Sequence, residues 1–344
     1  MATRVSVVGA GSWGTTVAAI TVAQLPTVLW ARRNQLARQI ADTHSNPDYL
    51  PGIGLPERLA CTSSLEEALD GADVVVMAVP SHGFRDILTQ AAAFMVPGVP
   101  VVSLAKGLEP RSLERMTALI REAAPGHPTA VLTGPNLARE VMAGHPTASV
   151  VAAADQALAA ELQGLLSHET FRVYTNPDVV GCELAGALKT VMAIASGMGD
   201  GMGFGDNTRA ALMTRGLAEM TRLGVALGGD PLTFSGLAGM GDLVATCTSH
   251  HSRNRHVGEA LGRGSTLDQV VADMRMVAEG IKTSRAVVEL AGRHGVDVPI
   301  AEQVVAVLHG GHRARDVIPA LMGRVARAEW DGAAWSKGRR AARS

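Results

Sequence analysis

The first half of the chain alternates short, β-branched apolar runs with alanine-rich amphipathic segments. Five runs predict buried strands that end in turn residues: RVSVVGAG, PTVLWAR, ADVVVMAVP, VPVVSLAKG and TAVLTGP. Segments such as TTVAAITVAQ and FRDILTQAAAFM lie between several of them. This alternation, with nearly continuous valine runs, is typical of a parallel sheet covered by helices on both faces. We therefore predict a doubly wound, mostly parallel α/β sheet, which PTASVVAAA and FRVYTN finish or extend.

The pattern changes near residue 180. From there the apolar positions have helical spacing, with glycine-rich breaks at 197–205 and 236–241 and no convincing strand alternation. We place the domain boundary close to Asp178–Gly181, so that a sheet domain covers 1–180 and an all-α domain covers 181–330. The small, polar and basic stretch 331–344 predicts a flexible tail.

One lysine interrupts an otherwise apolar helical segment. In CELAGALKTVMAIASGMGDG, residues 182–201, Lys189 lies among leucines, valine, methionine and isoleucine, and the helix is expected to end in a flexible turn at the glycines from Gly197 onwards. An ammonium is costly to bury, so such a lysine usually has a carboxylate partner or gives up its proton more easily. The alternative is a lysine that reaches the surface from the edge of the helix.

Composition excludes several classes of function. Net charge is −1, from 31 basic and 32 acidic residues, so the protein offers no overall field for nucleic acid or an anionic membrane. Cys61, Cys182 and Cys247 are scattered without CxxC spacing, which argues against disulfides and structural zinc and suits a reducing cytoplasm. We expect no signal peptide before VSVVGAG, and we expect no window to approach an uninterrupted membrane span. We expect a soluble cytoplasmic protein without a metal and without stable membrane insertion.

The first strand runs directly into a GxGxxG motif made by Gly9, Gly11 and Gly14, with Ser12 and Trp13 inside it. Between a strand and a helix, the first glycine permits the tight turn, the second lets a pyrophosphate approach the backbone, and the third allows helix–strand packing. The free N–H groups at the helix start then face the diphosphate. The motif predicts dinucleotide binding and a Rossmann-like domain; the alternative is a glycine-rich turn without a ligand.

The second strand ends in Arg32 and Arg33, where an NAD-specific site would usually have Asp or Glu for the ribose hydroxyls. Arginines suit a ribose 2′-phosphate, which favours NADPH over NADH. A solvated basic pair explains the same residues almost equally well, and NADH use stays open.

Three further strand ends carry polar or charged groups. Ser81 follows one strand, Lys106 the next, and Gly134 with Asn136 a third. In open α/β sheets the carboxyl ends of parallel strands line the ligand crevice, so these residues are expected to meet there.

The helical half adds a polar cluster that follows a glycine-rich turn. Asp242 comes first, and Ser252, Arg253, Asn254 and Arg255 follow it. Guanidinium groups match phosphate oxygens, so the cluster suits a small phosphate; a solvated polar loop is the alternative.

Together these pieces resemble the bacterial NAD(P)-dependent sn-glycerol-3-phosphate dehydrogenases. The stretches that carry the resemblance span nearly the whole chain in the family's order: GAGSWGT, LWARR, NPDYLPGIGLP, VPSHGFRDIL, SLAKGLE, LTGPNLAREV, ELAGALKTVMAIASGMGDG, GLAGMGDLVATCTS, SRNRHVG and MVAEGIKT. One stretch departs from the pattern, since family members commonly have GPSFAKE where this chain has GPNLARE. The resemblance implies a Rossmann-like domain followed by an all-helical one, and a homodimer.

The resemblance also implies a role for each matching residue. Lys189 is expected to be the catalytic acid/base in the reduction of dihydroxyacetone phosphate to sn-glycerol 3-phosphate, which supplies glycerophospholipid synthesis. The substrate-binding residues are expected to be Lys106, Gly134, Asn136, Lys189, Asp242, Ser252, Arg253 and Asn254. The dinucleotide is expected to contact Gly9, Gly11, Ser12, Trp13, Gly14, Arg32, Arg33, Lys106, Ala138, Arg253, Val277 and Glu279.

Two other functions remain open at this point. A 3-hydroxyacid or 6-phosphogluconate type of dehydrogenase shares the N-terminal fold and a lysine on an early helix of the second domain, but SRNR after GDLVATCTS favours a small phosphate ester. A non-catalytic NADP sensor would keep the fold, although it has no need of a buried proton donor such as Lys189.

Overall fold

The computed structural model describes residues 4–274 and 278–323. Its first half contains strands β1 (Val5–Val8), β2 (Thr27–Trp30), β3 (Ala60–Thr62), β4 (Val74–Met77), β5 (Val101–Ser103), β6 (Thr129–Thr133), β7 (Thr147–Ala153) and β8 (Phe171–Asn176). The helices between them are α1 (Ser12–Val22), α2 (Asn34–Thr43), α3 (Leu65–Leu69), α4 (Ser81–Ala92), α5 (Met116–Ala123), α6 (Ala138–Met142) and α7 (Gln156–Leu166).

The eight strands form one sheet in the order β3-β2-β1-β4-β5-β6-β7-β8, and every neighbouring pair is parallel except β6 with β7. β1 pairs with β2 on one side and with β4 on the other, so the chain order reverses there and opens a crevice beyond the strand ends. The predicted fold class is confirmed. β3 is absent from the predicted strands, because it has only three residues, none of them fully buried, and gives no continuous apolar run.

The rest of the described chain is helical, as predicted. The elements are α8 (Val179–Gly201), α9 (Asp206–Ala226), α10 (Pro231–Ser235), a π-helical turn (Leu237–Gly241), α11 (Asp242–Thr248), α12 (Arg253–Gly262), α13 (Leu267–Asp273), α14 (Glu279–Arg293), α15 (Pro299–His309), a 3₁₀ turn (Ala314–Val317) and α16 (Ile318–Met322). The predicted break at 236–241 is therefore largely helical. The predicted tail at 331–344 lies outside the described residues.

Helix α8 forms the centre of the helical half. Contrary to the prediction from the sequence, it is long and apolar enough to cross a membrane, but 89% of its apolar window is buried inside the protein. It is therefore a core helix, and its apolar side chains pack against α9, α11, α12 and α14.

The prediction that this helix ends at Gly197 is wrong. A Cβ atom on Gly197 would lie 2.0 Å from the carbonyl oxygen of Arg255, and one on Gly258 would lie 2.0 Å from that of Ile194. Glycines on both helices therefore let the backbones of α8 and α12 approach closely. They are packing positions and not a flexible turn.

A buried carboxylate joins α8 to the sheet half. Glu183 accepts hydrogen bonds from the Thr117 N–H (2.8 Å) and hydroxyl (2.6 Å) and from Arg115 Nη1 (2.6 Å). These groups lie at the start of α5, where the first backbone N–H groups lack helical partners. The contact fixes α8 against the sheet half close to the crevice.

Candidate active site

The crevice contains two lysines that share one carboxylate. Lys189 Nζ lies 2.8 Å from Asp242 Oδ1, and Lys106 Nζ lies 2.7 Å from Asp242 Oδ2. The side chains of Lys189 and Asp242 are 7% and 2% exposed, and that of Lys106 is 17% exposed. Lys189 therefore has the carboxylate partner that its apolar helix predicts, and it does not reach the surface.

Each ammonium makes one further contact. Lys189 donates to the Thr246 hydroxyl at 2.5 Å, and Lys106 donates to the carbonyl oxygen of Gly134 at 2.7 Å. An ammonium has three N–H donors, so the described residues leave one on each lysine for a ligand.

Lys106 gives up its proton more easily than a free lysine does. Burial, with a smaller contribution from the charge of Lys189, lowers its pKa to about 8 against the opposing effect of Asp242. The site thus holds two cations and one carboxylate that they share. Its net positive charge suits a ligand oxygen that gains negative charge.

The end of β4 contacts the helical half through Ser81. The Ser81 N–H and hydroxyl donate to the carboxylate of Glu279, at 3.2 and 2.8 Å. Burial raises the pKa of Glu279, while the Ser81 donors and the charge of Arg253 oppose the rise. A Cβ atom on Gly107, after β5, would lie 2.6 Å from both Ser81 Oγ and Glu279 Oε2, so this junction has no room for a larger residue there.

Asn136, after β6, has a buried amide with unused hydrogen-bonding capacity. Neither its Oδ1 nor its Nδ2 atom has a partner among the described residues. Buried polar groups are normally hydrogen-bonded, so an orphaned amide beside a crevice is typical of a group that binds a ligand. Ala138 lies two residues later, at the first position of α6.

The polar cluster of the helical half forms the start of α12. Ser252 caps this helix by accepting from the Arg255 N–H at 3.2 Å, and Asn254 Oδ1 accepts from the Gly280 N–H at 3.0 Å. Arg253 is exposed, whereas Arg255 is buried and paired with Asp200 at 2.7 Å. Arg255 is therefore a structural residue and lies apart from the predicted phosphate cluster.

The glycine-rich turn has the shape that a diphosphate needs. Gly9 has a φ of +124°, and a Cβ atom on it would lie 2.6 Å from the carbonyl oxygen of Ala78. On Gly14 a Cβ atom would lie 2.0 Å from the carbonyl oxygen of Gly9, but on Gly11 it would meet no atom within 4 Å. Gly11 therefore faces open space at the start of α1, whose first turn carries no acidic side chain. Trp13 Nε1 is buried without a partner among the described residues.

The two arginines after β2 differ in their surroundings. Arg33 is paired with Asp48, and its guanidinium lies 6.0 Å from the centre of the Tyr49 ring. The Tyr49 carbonyl also accepts from the Ser12 hydroxyl at 2.7 Å. Arg32 is exposed and has no ion-pair partner in the described ranges.

Direct contacts in the crevice join Lys106, Gly134, Asp242 and Lys189 in one group and Ser81 to Glu279 in another. Val277 lies outside the described residues. Sequence reasoning did not single out Thr246, although it lies four residues after Asp242 on α11 and therefore on the same helix face. It also missed the contact between Ser81 and Glu279, for which a separation of 198 positions gives no local signal.

Known proteins match this chain over almost its whole length. The family described as NAD-dependent glycerol-3-phosphate dehydrogenase N-terminus matches residues 4–159, and the corresponding C-terminus family matches 178–319. A glycerol-3-phosphate dehydrogenase [NAD(P)+] of Sphingopyxis alaskensis is 56% identical, over 94% of this chain and 97% of that protein. One from Mycobacterium avium is 50% identical, over 94% and 95%.

A solved structure shows the same fold. The crystal structure of glycerol-3-phosphate dehydrogenase from Coxiella burnetii superposes with a TM-score of 0.90 at 34% identity, over 94% of this chain and 99% of that one. The matches to both halves, together with relatives above 30% identity, settle the family. The chain belongs to the NAD-dependent glycerol-3-phosphate dehydrogenase family.

Proposed function

We propose that the protein catalyses the reversible reduction of dihydroxyacetone phosphate to sn-glycerol 3-phosphate with NADH or NADPH, and so supplies glycerophospholipid synthesis. The main support is the pair of ammonium groups on Lys189 and Lys106. They share Asp242, and each keeps one N–H for a ligand. The names of the relatives at 50% identity and above support this reaction.

Lys189 is the proposed acid/base. When bound, the nicotinamide supplies a hydride to the carbonyl carbon, and the carbonyl oxygen gains negative charge. Lys189 gives a proton to this oxygen through its unused N–H, and the lysine is then reprotonated from solvent. In the reverse direction it takes the proton from the C2 hydroxyl. Asp242 and Thr246 hold its Nζ atom in place, which keeps the donor aligned.

Lys106 is the proposed electrostatic partner. Its Nζ lies on the other oxygen of Asp242 and is fixed by the Gly134 carbonyl. A positive charge held beside the reacting oxygen stabilises the negative charge that develops there, and this stabilisation is strong where water is excluded.

The start of α12 is the proposed phosphate site. Arg253 and Asn254 follow the Ser252 cap, where free backbone N–H groups and the helix dipole favour an anion. The guanidinium of Arg253 adds charge-assisted hydrogen bonds. The buried amide of Asn136 is the proposed partner of a substrate oxygen. Binding energy from the phosphate orients the carbonyl carbon.

The dinucleotide is proposed to lie over the turn Gly9–Gly14. Gly11, which leaves open space beside the backbone, and the first N–H groups of α1 would hold its diphosphate. The remaining proposed contacts are Ser12, Trp13, Arg32, Arg33, Lys106, Ala138, Arg253, Val277 and Glu279. Of the two cofactors we propose that NADPH is preferred.

The test is to follow NADPH and NADH absorbance in parallel with and without dihydroxyacetone phosphate. Substrate-dependent oxidation is expected with at least one cofactor, and sn-glycerol 3-phosphate should reduce NAD(P)+ in reverse. Turnover only with a 3-hydroxyacid or with 6-phosphogluconate would overturn the substrate assignment. Tight NADPH binding with no turnover on any of these would favour a sensor.

We further propose a cytoplasmic homodimer, as the resemblance implies. Sedimentation equilibrium would show about twice the mass of the 35.7 kDa chain. A monomer at micromolar concentration would contradict it.

A further inference from the structure

A second group of cations lies at the edge of the sheet, beyond the glycine-rich turn. Arg32 follows β2, His82 is the second residue of α4 after β4, and Lys282 lies in the first turn of α14. Strands β2, β1 and β4 are adjacent in the sheet. At about 4.8 Å per strand, the ends of β2 and β4 lie about 10 Å apart. The long side chains of arginine and lysine can cover much of that gap.

The contact between Ser81 and Glu279 brings Lys282 to this edge. Glu279 receives both donors of Ser81, so the start of α14 lies against the start of α4. Lys282 lies three residues after Glu279 and therefore on the same face of α14. The charges support this placement: burial lowers the pKa of His82, and Lys282 and Arg32 lower it further.

Two of these cations form no ion pair in the described part of the chain. Within residues 4–274 and 278–323, neither Arg32 nor Lys282 forms an ion pair, although Arg33 is paired with Asp48. The nearby carboxylate of Glu279 accepts both donors of Ser81, and the charges of Arg253 and Lys282 act on it without an ion pair, so one carboxylate faces several cations. Unpaired like charges at one edge repel each other unless an anion lies among them. The arrangement therefore suits an anionic group between β2 and α14.

We infer that Lys282 and Arg32 together bind the ribose 2′-phosphate of NADPH, so that a residue of the helical half sets the cofactor preference. The inference rests on the proposed function and extends it. In a Rossmann-like domain the residue after β2 lies at the adenosine ribose. A phosphate there would receive charge from Arg32 on one side and from Lys282 on the other.

The test uses Lys282→Met, which removes the charge and keeps most of the length. Dissociation constants for NADPH and NADH are measured by calorimetry at fixed ionic strength, and 2′,5′-ADP and 5′-AMP serve as smaller probes. We expect the NADPH constant to rise about tenfold, since one charge-assisted contact is lost, and the NADH constant to change less than twofold. Binding of 2′,5′-ADP should weaken as much as that of NADPH, and binding of 5′-AMP should not weaken.

Two variants complete the experiment. Arg285→Met is a matched control, because Arg285 is exposed on the same helix and its charge acts on His309 of α15. It should leave both constants unchanged, and Lys282→Arg should retain NADPH affinity. Equal weakening of NADPH and NADH, or no weakening of either, overturns the inference. Failure of the proposed function would appear separately, as wild-type protein that oxidises neither NADPH nor NADH with dihydroxyacetone phosphate.

Discussion

Lys189 and Asp242 form a buried ion pair with an Nζ–Oδ1 distance of 2.8 Å, and the other oxygen of the same carboxylate holds Lys106. Two lysines from different halves of the chain are thus fixed relative to one carboxylate. A buried charge usually has a partner of opposite sign, and here the partner also aligns the proposed proton donor.

Replacing Lys189 by Met should reduce kcat by about 10²–10⁴-fold, because the developing oxyanion then has no positioned acid. NADPH affinity should change less than threefold, because the proposed dinucleotide contacts do not include Lys189. Stopped-flow turnover and calorimetric binding measure the two quantities, and circular dichroism checks the fold. Retention of most of the wild-type rate would remove Lys189 from the chemistry.

The rate of reduction should depend on the charge of Lys106. Its pKa is lowered to about 8 by burial, so the ammonium is charged below this pH and neutral above it. kcat/KM for dihydroxyacetone phosphate should therefore fall as pH rises through about 8. Lys106→Arg should be slower but should lose this fall, since a guanidinium keeps its charge. If kcat/KM of Lys106→Arg still fell above about pH 8, the titrating group would be a residue other than Lys106.

The two arginines of SRNR should behave differently. Arg253→Ala should raise KM for dihydroxyacetone phosphate at least about tenfold, the cost of one charge-assisted contact. Arg255→Ala should instead lower the thermal midpoint, because Asp200 then loses a buried partner. Steady-state kinetics and calorimetric melting on both variants separate the effects. An unchanged KM in Arg253→Ala would place the phosphate elsewhere.

These arginines illustrate what the sequence could and could not predict. The composition SRNR predicts a phosphate site, but helix residues two positions apart point about 200° away from each other, so only the packing of α12 shows which arginine is buried. The valine-rich strands and the GxGxxG turn were predictable because continuous apolar runs and glycines have local causes. The lysine in α8 was predictable as unusual, because its neighbours are apolar.

The predictions from the sequence are wrong or incomplete where the role of a residue depends on a distant part of the chain. Gly197 was predicted to end a helix, since glycine disfavours helices by its own propensity. Its surroundings on α12, more than fifty residues away in the chain, instead require the absence of a side chain. The pairing of Arg33 with Asp48 likewise has no signal in either local pattern.

Gly197→Ala should destabilise the protein although alanine favours helices. The added Cβ would lie 2.0 Å from the Arg255 carbonyl, and overpacking of this kind costs about 1–3 kcal/mol or more. Gly199→Ala is the matched control two residues later, where the nearest atom would be 3.5 Å away. That change should be neutral or stabilise by up to about 1 kcal/mol. Urea unfolding measures both, and equal stability of the two variants would contradict the packing role.

Glu219 should make stability depend on pH. Its carboxylate is 2% exposed and accepts the Ile300 and Ala301 N–H groups at the start of α15, both at 2.9 Å. Burial raises its pKa from 4.5 to about 7, against these hydrogen bonds. Between those values the folded protein holds a proton that the unfolded chain releases, so the free energy of unfolding decreases as pH rises.

The loss from this group should begin near pH 4.5, be complete just above pH 7 and reach about 3 kcal/mol. Glu219→Gln should remove this part of the slope, because the amide does not titrate. Glu302→Gln, at an exposed position of the same α15, should keep the wild-type slope. Urea unfolding at half-unit steps from pH 5 to pH 8 gives the three slopes. Both substitutions remove one carboxylate, so a difference between their slopes isolates burial as the cause. Identical slopes in Glu219→Gln and wild type would show that the Glu219 carboxylate titrates normally.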